Sequence, residues 1–250
     1  MIKLIHGDCL EKMKDIPDKS IDMILADLPY GTTACKWDVV IPFEPLWEQY
    51  KRIIKDRGAI VLFASQPFTS ALVMSNPKMF KYSWYWEKSK PSNFLNAKKQ
   101  PMRKIEDILV FCKKSTVYYP QGLVIGKQNS NSGRENTYGA VKKSWTQDIT
   151  YTNYPHNILR YSNVVGSSAT HPTQKPVALL EYLIKTYTLE GETVLDNCAG
   201  SFSTAIACLN TKRSFIGIEK DAHYFQVGKD RVEKHLLTLD YSPEMVYYQV

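Results

Sequence analysis

Thr193-Val194-Leu195-Asp196-Asn197-Cys198-Ala199-Gly200-Ser201-Phe202-Ser203-Thr204 reads as an apolar strand running into a tight loop. Ala205-Ile206-Ala207-Cys208-Leu209 continues it as a helix, and Ser214-Phe215-Ile216-Gly217-Ile218 is a second apolar strand closed by Glu219. Glu219 lies 19 residues beyond Gly200. Strand, glycine turn, helix, strand and terminal acid is the layout of a nucleoside-binding βαβ unit, in which the acid bonds ribose hydroxyls. A lone glycine turn is weak, since many core βαβ units look similar; the acid at this distance strengthens it.

A second strand end lies near the other terminus. The run Ile21-Asp22-Met23-Ile24-Leu25-Ala26 leads into Asp27-Leu28-Pro29-Tyr30. Ligands of open α/β sheets bind at the carboxyl ends of strands, so this is where a planar base would be held. An exocyclic amino nitrogen is a poor nucleophile, because its lone pair is delocalised into the ring. Two acceptors aimed at its N–H bonds free that lone pair: the Asp27 carboxylate and the Leu28 backbone carbonyl. Pro29 stiffens the turn. Tyr30 can stack on the base, a contact of roughly 1–3 kcal/mol. The competing reading of these four residues is an Asp capping a turn, with a tyrosine in the core.

Together the two stretches resemble the β-class amino-directed DNA methyltransferases, in which the catalytic motif precedes the cofactor motif. Asp27-Leu28-Pro29-Tyr30 stands where that family has Asp/Ser-Pro-Pro-Tyr. His171-Pro172-Thr173-Gln174-Lys175-Pro176 matches its segment at the methionine end of the cofactor, and His6-Gly7-Asp8-Cys9-Leu10 matches its amino-terminal Gly-Asp-x-Leu. The resemblance covers residues 1 to about 112 and about 168 to 236. It implies a Rossmann-like methyltransferase fold of circularly permuted motif order. It also implies S-adenosylmethionine as cofactor, and transfer to adenine N6 in duplex DNA by base flipping. Asp27, Leu28, Pro29 and Tyr30 would be catalytic. Asp8, Asp27, His171, Thr173, Lys175, Asp196, Ala199, Gly200, Ser201, Ser203, Glu219 and Lys220 would bind the cofactor. No metal is required. A homodimer is implied, and a cognate restriction endonuclease is left open.

Departures from the pattern bear on this. Leu28 replaces a common proline, but only its carbonyl is needed. Phe202 stands where the family usually has the second glycine of Gly-x-Gly. Glycine permits positive φ and close backbone approach. Either the loop takes an ordinary φ at 202 with the ring turned away, or cofactor binding is weakened. Near residue 105 the family often has His before Glu; this chain has Ile105-Glu106, and no role is assigned there. Trp86 and Lys88 are placed to flank the base or a phosphate. Asp first, rather than Ser, favours adenine over cytosine N4. A non-catalytic DNA-binding relative with a decayed loop stays open. RNA and protein amide methyltransferases usually have Asn first and the cofactor motif earlier, so motif order argues against them.

The net charge is +7, with a pI of about 9.0, which suits a polyanionic partner. The charge is concentrated. Residues 81–104 carry +6 and residues 113–170 carry +5, leaving the remainder acidic. The five cysteines form no Cys-x-x-Cys and no ligand spacing for a metal. They point to a reducing compartment. The start lacks a signal-peptide core, and no apolar run approaches the ~20 residues of a membrane span. The expectation is a cytoplasmic protein with no membrane partner.

Strands are expected near 2–5, 21–26, 58–64, 82–87, 107–112, 193–197 and 214–218. Helices are expected near 9–15, 43–56, 66–75, 176–188, 203–211 and 220–237, with Ser65 as a candidate cap. Such alternation predicts an α/β fold, a mostly parallel sheet with helices on both faces. The catalytic and cofactor domain is expected over 1–112 and 168–250. Residues 113–167 break the pattern, with interleaved tyrosines and asparagines such as Tyr118, Tyr138, Trp145, Asn129 and Asn163. Long irregular segments in compact domains are usually functional or disordered. This one is read as an inserted target-recognition region.

Overall fold

The structure is a computed structural model that describes residues 1–33, 35, 38–126, 150–164, 174–239 and 246–249. Its strands are β1 (Ile2–His6), β2 (Ile21–Asp27), β3 (Ile54–Ala64), β4 (Phe80–Ser92), β5 (Arg103–Phe111), β6 (Val124–Gly126), β7 (Thr150–Thr152), β8 (Ile158–Tyr161), β9 (Thr193–Asp196), β10 (Ser214–Glu219) and β11 (Val246–Gln249). Its helices are α1 (Cys9–Lys12), α2 (Phe43–Ile53), α3 (Phe68–Ser75), α4 (Val177–Tyr187), α5 (Ser203–Asn210) and α6 (Ala222–Thr238).

Nine strands form one sheet in the order β11-β1-β10-β9-β2-β3-β5-β4-β8. All its pairings are parallel except those of β5 with β3 and β4. Successive side chains of a strand point to opposite faces, and the central strands are apolar on both. Met23 and Leu25 of β2 join one buried cluster with α4, α5 and α6 residues such as Leu180, Ala205 and Val232. Ile24 and Ala26 join the other, with Met13, Leu46, Trp47 and Leu72 from the α1, α2 and α3 side. Helices therefore cover both faces, as the alternation predicts.

Differences from the sequence expectation lie at edges. Strand β4 runs several residues past 87 on the strength of its pairing with β5, Ser92 opposite Arg103. Short strands β8 and β11 extend the sheet at its two ends. Ser65 does not cap α3 through its hydroxyl; Pro67 is the cap residue, and the Ser65 carbonyl accepts from Thr69. No described helix is long and apolar enough to cross a membrane.

Two compact units are resolved: Met1–Tyr119 with Asn157–Val250, and Pro120–His156. The second is narrower than the expected insert. Ile158–Tyr161 pairs with β4, and Tyr119 donates its backbone N–H to Thr186, so both belong to the first unit. Within the second unit β6 and β7 pair antiparallel, and Asn153 donates its side-chain amide to the Gly122 carbonyl at 2.8 Å. Asn129, Asn131, Asn136, Tyr138 and Trp145 lie outside the described residues.

Candidate active site

The sheet's register gathers the predicted residues. His6 lies opposite Glu219, Gly217 opposite Asp196, and Ile24 opposite Leu195. Because these strands are parallel, β1, β10, β9 and β2 all end on one edge of the sheet. From β9 the chain builds outward through α5 to β10; from β2 it builds the other way through α2 to β3. The divide between β9 and β2 is a topological switch point, where open α/β sheets bind ligands. Asp196 and Asp27 stand on its two sides.

At the end of β2, Asp27 is held by two side chains, Tyr30 from the turn that follows and Lys175 from the segment before α4. The Tyr30 hydroxyl donates to Asp27 Oδ1 at 2.7 Å, and Lys175 Nζ donates to Oδ2 at 2.5 Å. Lys175 also pairs with Glu106 Oε1 at 3.0 Å, and Lys88 takes Glu106 Oε2 at 2.7 Å. The result is a largely buried, neutral cluster of two carboxylates and two ammonium groups. Burial pushes Asp27 above the usual carboxylate range while Lys175 pulls it back. Burial acts on Glu106 too, yet Lys175 and Lys88 together hold it below the usual range. Burial opposes the Lys175 charge, but Asp27 and then Glu106 raise its pKa above the ordinary lysine value. Burial, then the two carboxylates, keep the Tyr30 hydroxyl protonated well above the usual range. The Tyr30 ring lies on Phe68, with centroids 5.1 Å apart and planes 25° apart. Leu28 is buried among the α1–α3 side chains. After Tyr30 the chain turns on Asp38, whose carboxylate accepts the backbone N–H groups of Gly31, Thr32 and Thr33 at 2.7–2.9 Å.

The β9 end is shaped by backbone. Asp196 Oδ1 accepts from the Cys198 N–H at 3.1 Å, and Oδ2 from the Thr204 hydroxyl at 2.6 Å. Burial outweighs these bonds and pushes Asp196 up to about 7. Gly200 takes a φ of +51° and donates its N–H to Glu219 Oε2 at 2.7 Å. Glu219 Oε1 accepts from Asp221 at 2.7 Å. An ionised carboxylate has about four acceptor sites, so Glu219 keeps capacity for a ligand hydroxyl. Next to it, Lys220 pairs with Asp8 at 3.0 Å, and Asp8 caps α1. Ala199 is buried and donates to the Ile218 carbonyl.

Phe202 corrects the expectation. It does not take an ordinary φ; its φ is +54°, in the left-handed region. The ring is nevertheless fully buried, edge-on to Phe215 and Phe225. Two glycines make room. A Cβ on Gly217 would meet the Phe202 ring at 2.6 Å, and one on Gly228 would overlap it outright. A left-handed φ costs a non-glycine residue about 1–2 kcal/mol, whereas burying the ring contributes about 1.5–3 kcal/mol. The loop thus keeps the backbone shape a glycine would give, anchored from behind.

Other residues of the expected site bond within the chain. Arg231 donates to the hydroxyls of Ser201 and Ser203, turning them toward α6. Lys175 carries its charge on Asp27 and Glu106. Trp86 is buried and donates to the Tyr161 carbonyl, and Lys88 is drawn onto Glu106. His171 and Thr173 lie outside the described residues. Glu106 and Phe68 are the site residues that sequence reasoning missed. Glu106 had a signal: it is a charged residue in a strand whose other buried positions are apolar.

A family model described as DNA methylase matches residues 21–230. The DNA adenine methyltransferase YhdJ of Escherichia coli (strain K12) is 30% identical over 243 residues, covering 92% of this chain and 82% of its own. The Type II methyltransferase M.HpaI of Haemophilus parainfluenzae is 26% identical over 255 residues, covering 95% and 76%. The crystal structure of the M1.HpyAVI–SAM complex has a TM-score of 0.65 at 26% identity, over 93% of this chain and 99% of that one. The cytosine-N4-specific PvuII DNA methyltransferase has a TM-score of 0.66 over 98% and 94%, but at 15% identity this is a likeness of fold.

Proposed function

The chain belongs to the DNA methylase family, and from that premise we propose that it is a site-specific enzyme moving the methyl group of S-adenosylmethionine to adenine N6 in duplex DNA. The observation that carries this reading is Asp27, held between Tyr30 and Lys175 at the strand end beside the Gly200–Glu219 loop. YhdJ, named an adenine methyltransferase, and the aspartate at position 27 both favour adenine.

The backbone of Cys198–Ser203, with Asp8, Asp196, Glu219 and Lys220, fits a nucleoside-bearing cofactor: the loop approaches closely at Gly200, and Glu219 offers acceptors. His171, Thr173 and Lys175 complete the assignment. When bound, the cofactor supplies an electrophilic sulfonium methyl. The chain's residues do the rest. Asp27 and the Leu28 carbonyl accept the amino N–H bonds. The incoming amino group takes the Oδ1 position that the Tyr30 hydroxyl occupies. Tyr30 stacks on the base while Phe68 backs its other face. Lys175, shared with Glu106, opposes the burial that raises Asp27 and so favours its charged, accepting form. The work is positioning and electrostatics. Because the acid sits at a buried strand end, the base must leave the duplex stack to reach it.

The Pro120–His156 unit is the proposed recognition region. The Type II name of relatives such as M.HpaI supports a role beside a cognate endonuclease. A homodimer and a cytoplasmic location complete the reading.

Nucleoside mass spectrometry of PCR-amplified, hence unmethylated, DNA incubated with protein and S-adenosylmethionine tests it. N6-methyladenine is expected. N4-methylcytosine would overturn the base, and no methylated nucleoside would overturn the activity. Asp27→Ala should lower turnover at least about a hundredfold, the scale of losing a preorganised polar group at a reacting centre.

A further inference from the structure

Strands β4 and β5 form a hairpin whose base lies in the catalytic cluster, since Lys88 of β4 pairs with Glu106 of β5. From there β4 continues to Ser92, about 13 Å at 3.3 Å per residue. The tip is a single 3-10 turn, Phe94–Asn96, closed by defined bonds. The Ala97 N–H donates to Phe94 at 3.0 Å, the Lys99 N–H to Asn96 at 2.8 Å, and the Asn96 amide to the Asn93 side chain at 2.8 Å. This ordered turn holds two large apolar side chains outward: Phe94 is 73% exposed and Leu95 84%.

Apolar side chains left in water at an ordered tip call for a partner, and the surrounding charge says which. From Lys88 to Lys104, both included, the chain has six basic residues and no acid. Lys90, Lys98, Lys99 and Arg103 are exposed there and make no salt bridge among the described residues. An apolar wedge with a basic rim is the design by which proteins enter DNA: cations take the phosphates, and the wedge separates neighbouring bases.

We propose that the β4–β5 hairpin is a DNA wedge, with Phe94 and Leu95 entering the base stack beside the target and the flanking lysines holding the phosphates. This rests on the DNA-methylating activity above and assigns how the duplex is opened. Filling the stack offsets the unstacking that base extrusion costs, which is a few kcal/mol per step.

The site methylated by the wild-type chain on PCR-amplified bacterial DNA is mapped first. Two duplexes carrying that site are then compared, one with the target paired and one with it opposite an abasic position. Phe94→Ala with Leu95→Ala should lower single-turnover methyl transfer on the paired duplex by about tenfold or more, and come back to within about threefold of wild type on the abasic one. Its affinity for S-adenosylmethionine and its sedimentation mass should match wild type. Phe94→Leu alone, which keeps an apolar tip, should retain most of the rate. An unchanged rate on the paired duplex overturns the wedge. So does an equal loss on both duplexes, which would mean a general structural effect. A change in sedimentation mass would make the tip a contact between copies of this chain and overturn it as well. A wild-type chain that methylates no DNA sinks the activity beneath the proposal, and the proposal with it.

Discussion

At the end of β9 the chain shapes a ligand loop with backbone and packing; at the end of β2, a few ångströms of sheet away, it uses buried charge. The first region is local. Asp196, Gly200, Phe202 and Glu219 fall within one strand–helix–strand unit, and their bonds run largely to backbone N–H groups. The second is assembled from afar. Asp27, Lys88, Glu106 and Lys175 come from β2, β4, β5 and the segment before α4. Backbone bonds hold a shape whatever the ligand. A charge cluster holds a shape and also sets a cation against the burial of one carboxylate, which suits the reacting end proposed above.

Breaking the charge cluster should have the largest effect on stability. Lys175→Met leaves Asp27 without its cation and Glu106 with only Lys88. Removing one partner of a buried pair costs about 3–5 kcal/mol, and urea unfolding at pH 8 should show a loss of that size. The carboxylates left behind can shed their charge by binding protons, so the deficit should shrink as the pH is lowered to 5. A deficit independent of pH would mean that packing, not charge, was lost.

The packed loop should respond more mildly. Phe202→Gly forfeits ring burial but relieves the left-handed φ, for a net loss of about 1–4 kcal/mol. The sharper test is coupling. Gly228→Ala should be strongly destabilising in the wild type, because its methyl overlaps the Phe202 ring. In the Phe202→Gly background most of that cost should vanish, leaving only the 3.1 Å approach of the new methyl to the Ser201 backbone. Additive losses would show that the ring and the glycine do not share one space.

The last effect is a slope, small at any one pH step. Asp196 is raised from 3.8 to about 7 in the folded chain. Between those values the folded state keeps a proton that the unfolded state has shed, so stability from this group falls as pH rises. One such proton contributes at most about 1.4 kcal/mol per pH unit. Asp196→Asn should flatten the fall between pH 5 and 7 relative to wild type. A parallel pair of curves would show that Asp196 is not protonated in the fold.

The same contrast explains what was legible. The β9–α5–β10 unit could be read from the sequence because strand, turn and helix are each decided within a few residues. Asp27 and Tyr30 were legible for the same reason. Glu106 showed only as an odd charge in an apolar strand: its partners stay invisible until β5 is laid beside β4 and Lys175 is brought to it. Strands β8 and β11 were missed because edge strands bury little and carry no continuous apolar run. The Phe202 expectation failed because a residue's φ was judged from that residue alone. Gly217 and Gly228, 15 and 26 positions away, decide whether its ring has somewhere to go.

The sequence alone therefore determined the doubly covered, mostly parallel sheet, the order of the two motifs and the place of Asp27–Tyr30 at the β2 end, because apolar period and turn chemistry act over short stretches. Only the tertiary structure decided which charges meet Asp27, where the Phe202 ring is buried and which apolar side chains stand in water at the β4–β5 tip. Those depend on distances between segments that the linear order does not specify, and on burial, which sets the strength of a charge or the cost of a left-handed φ.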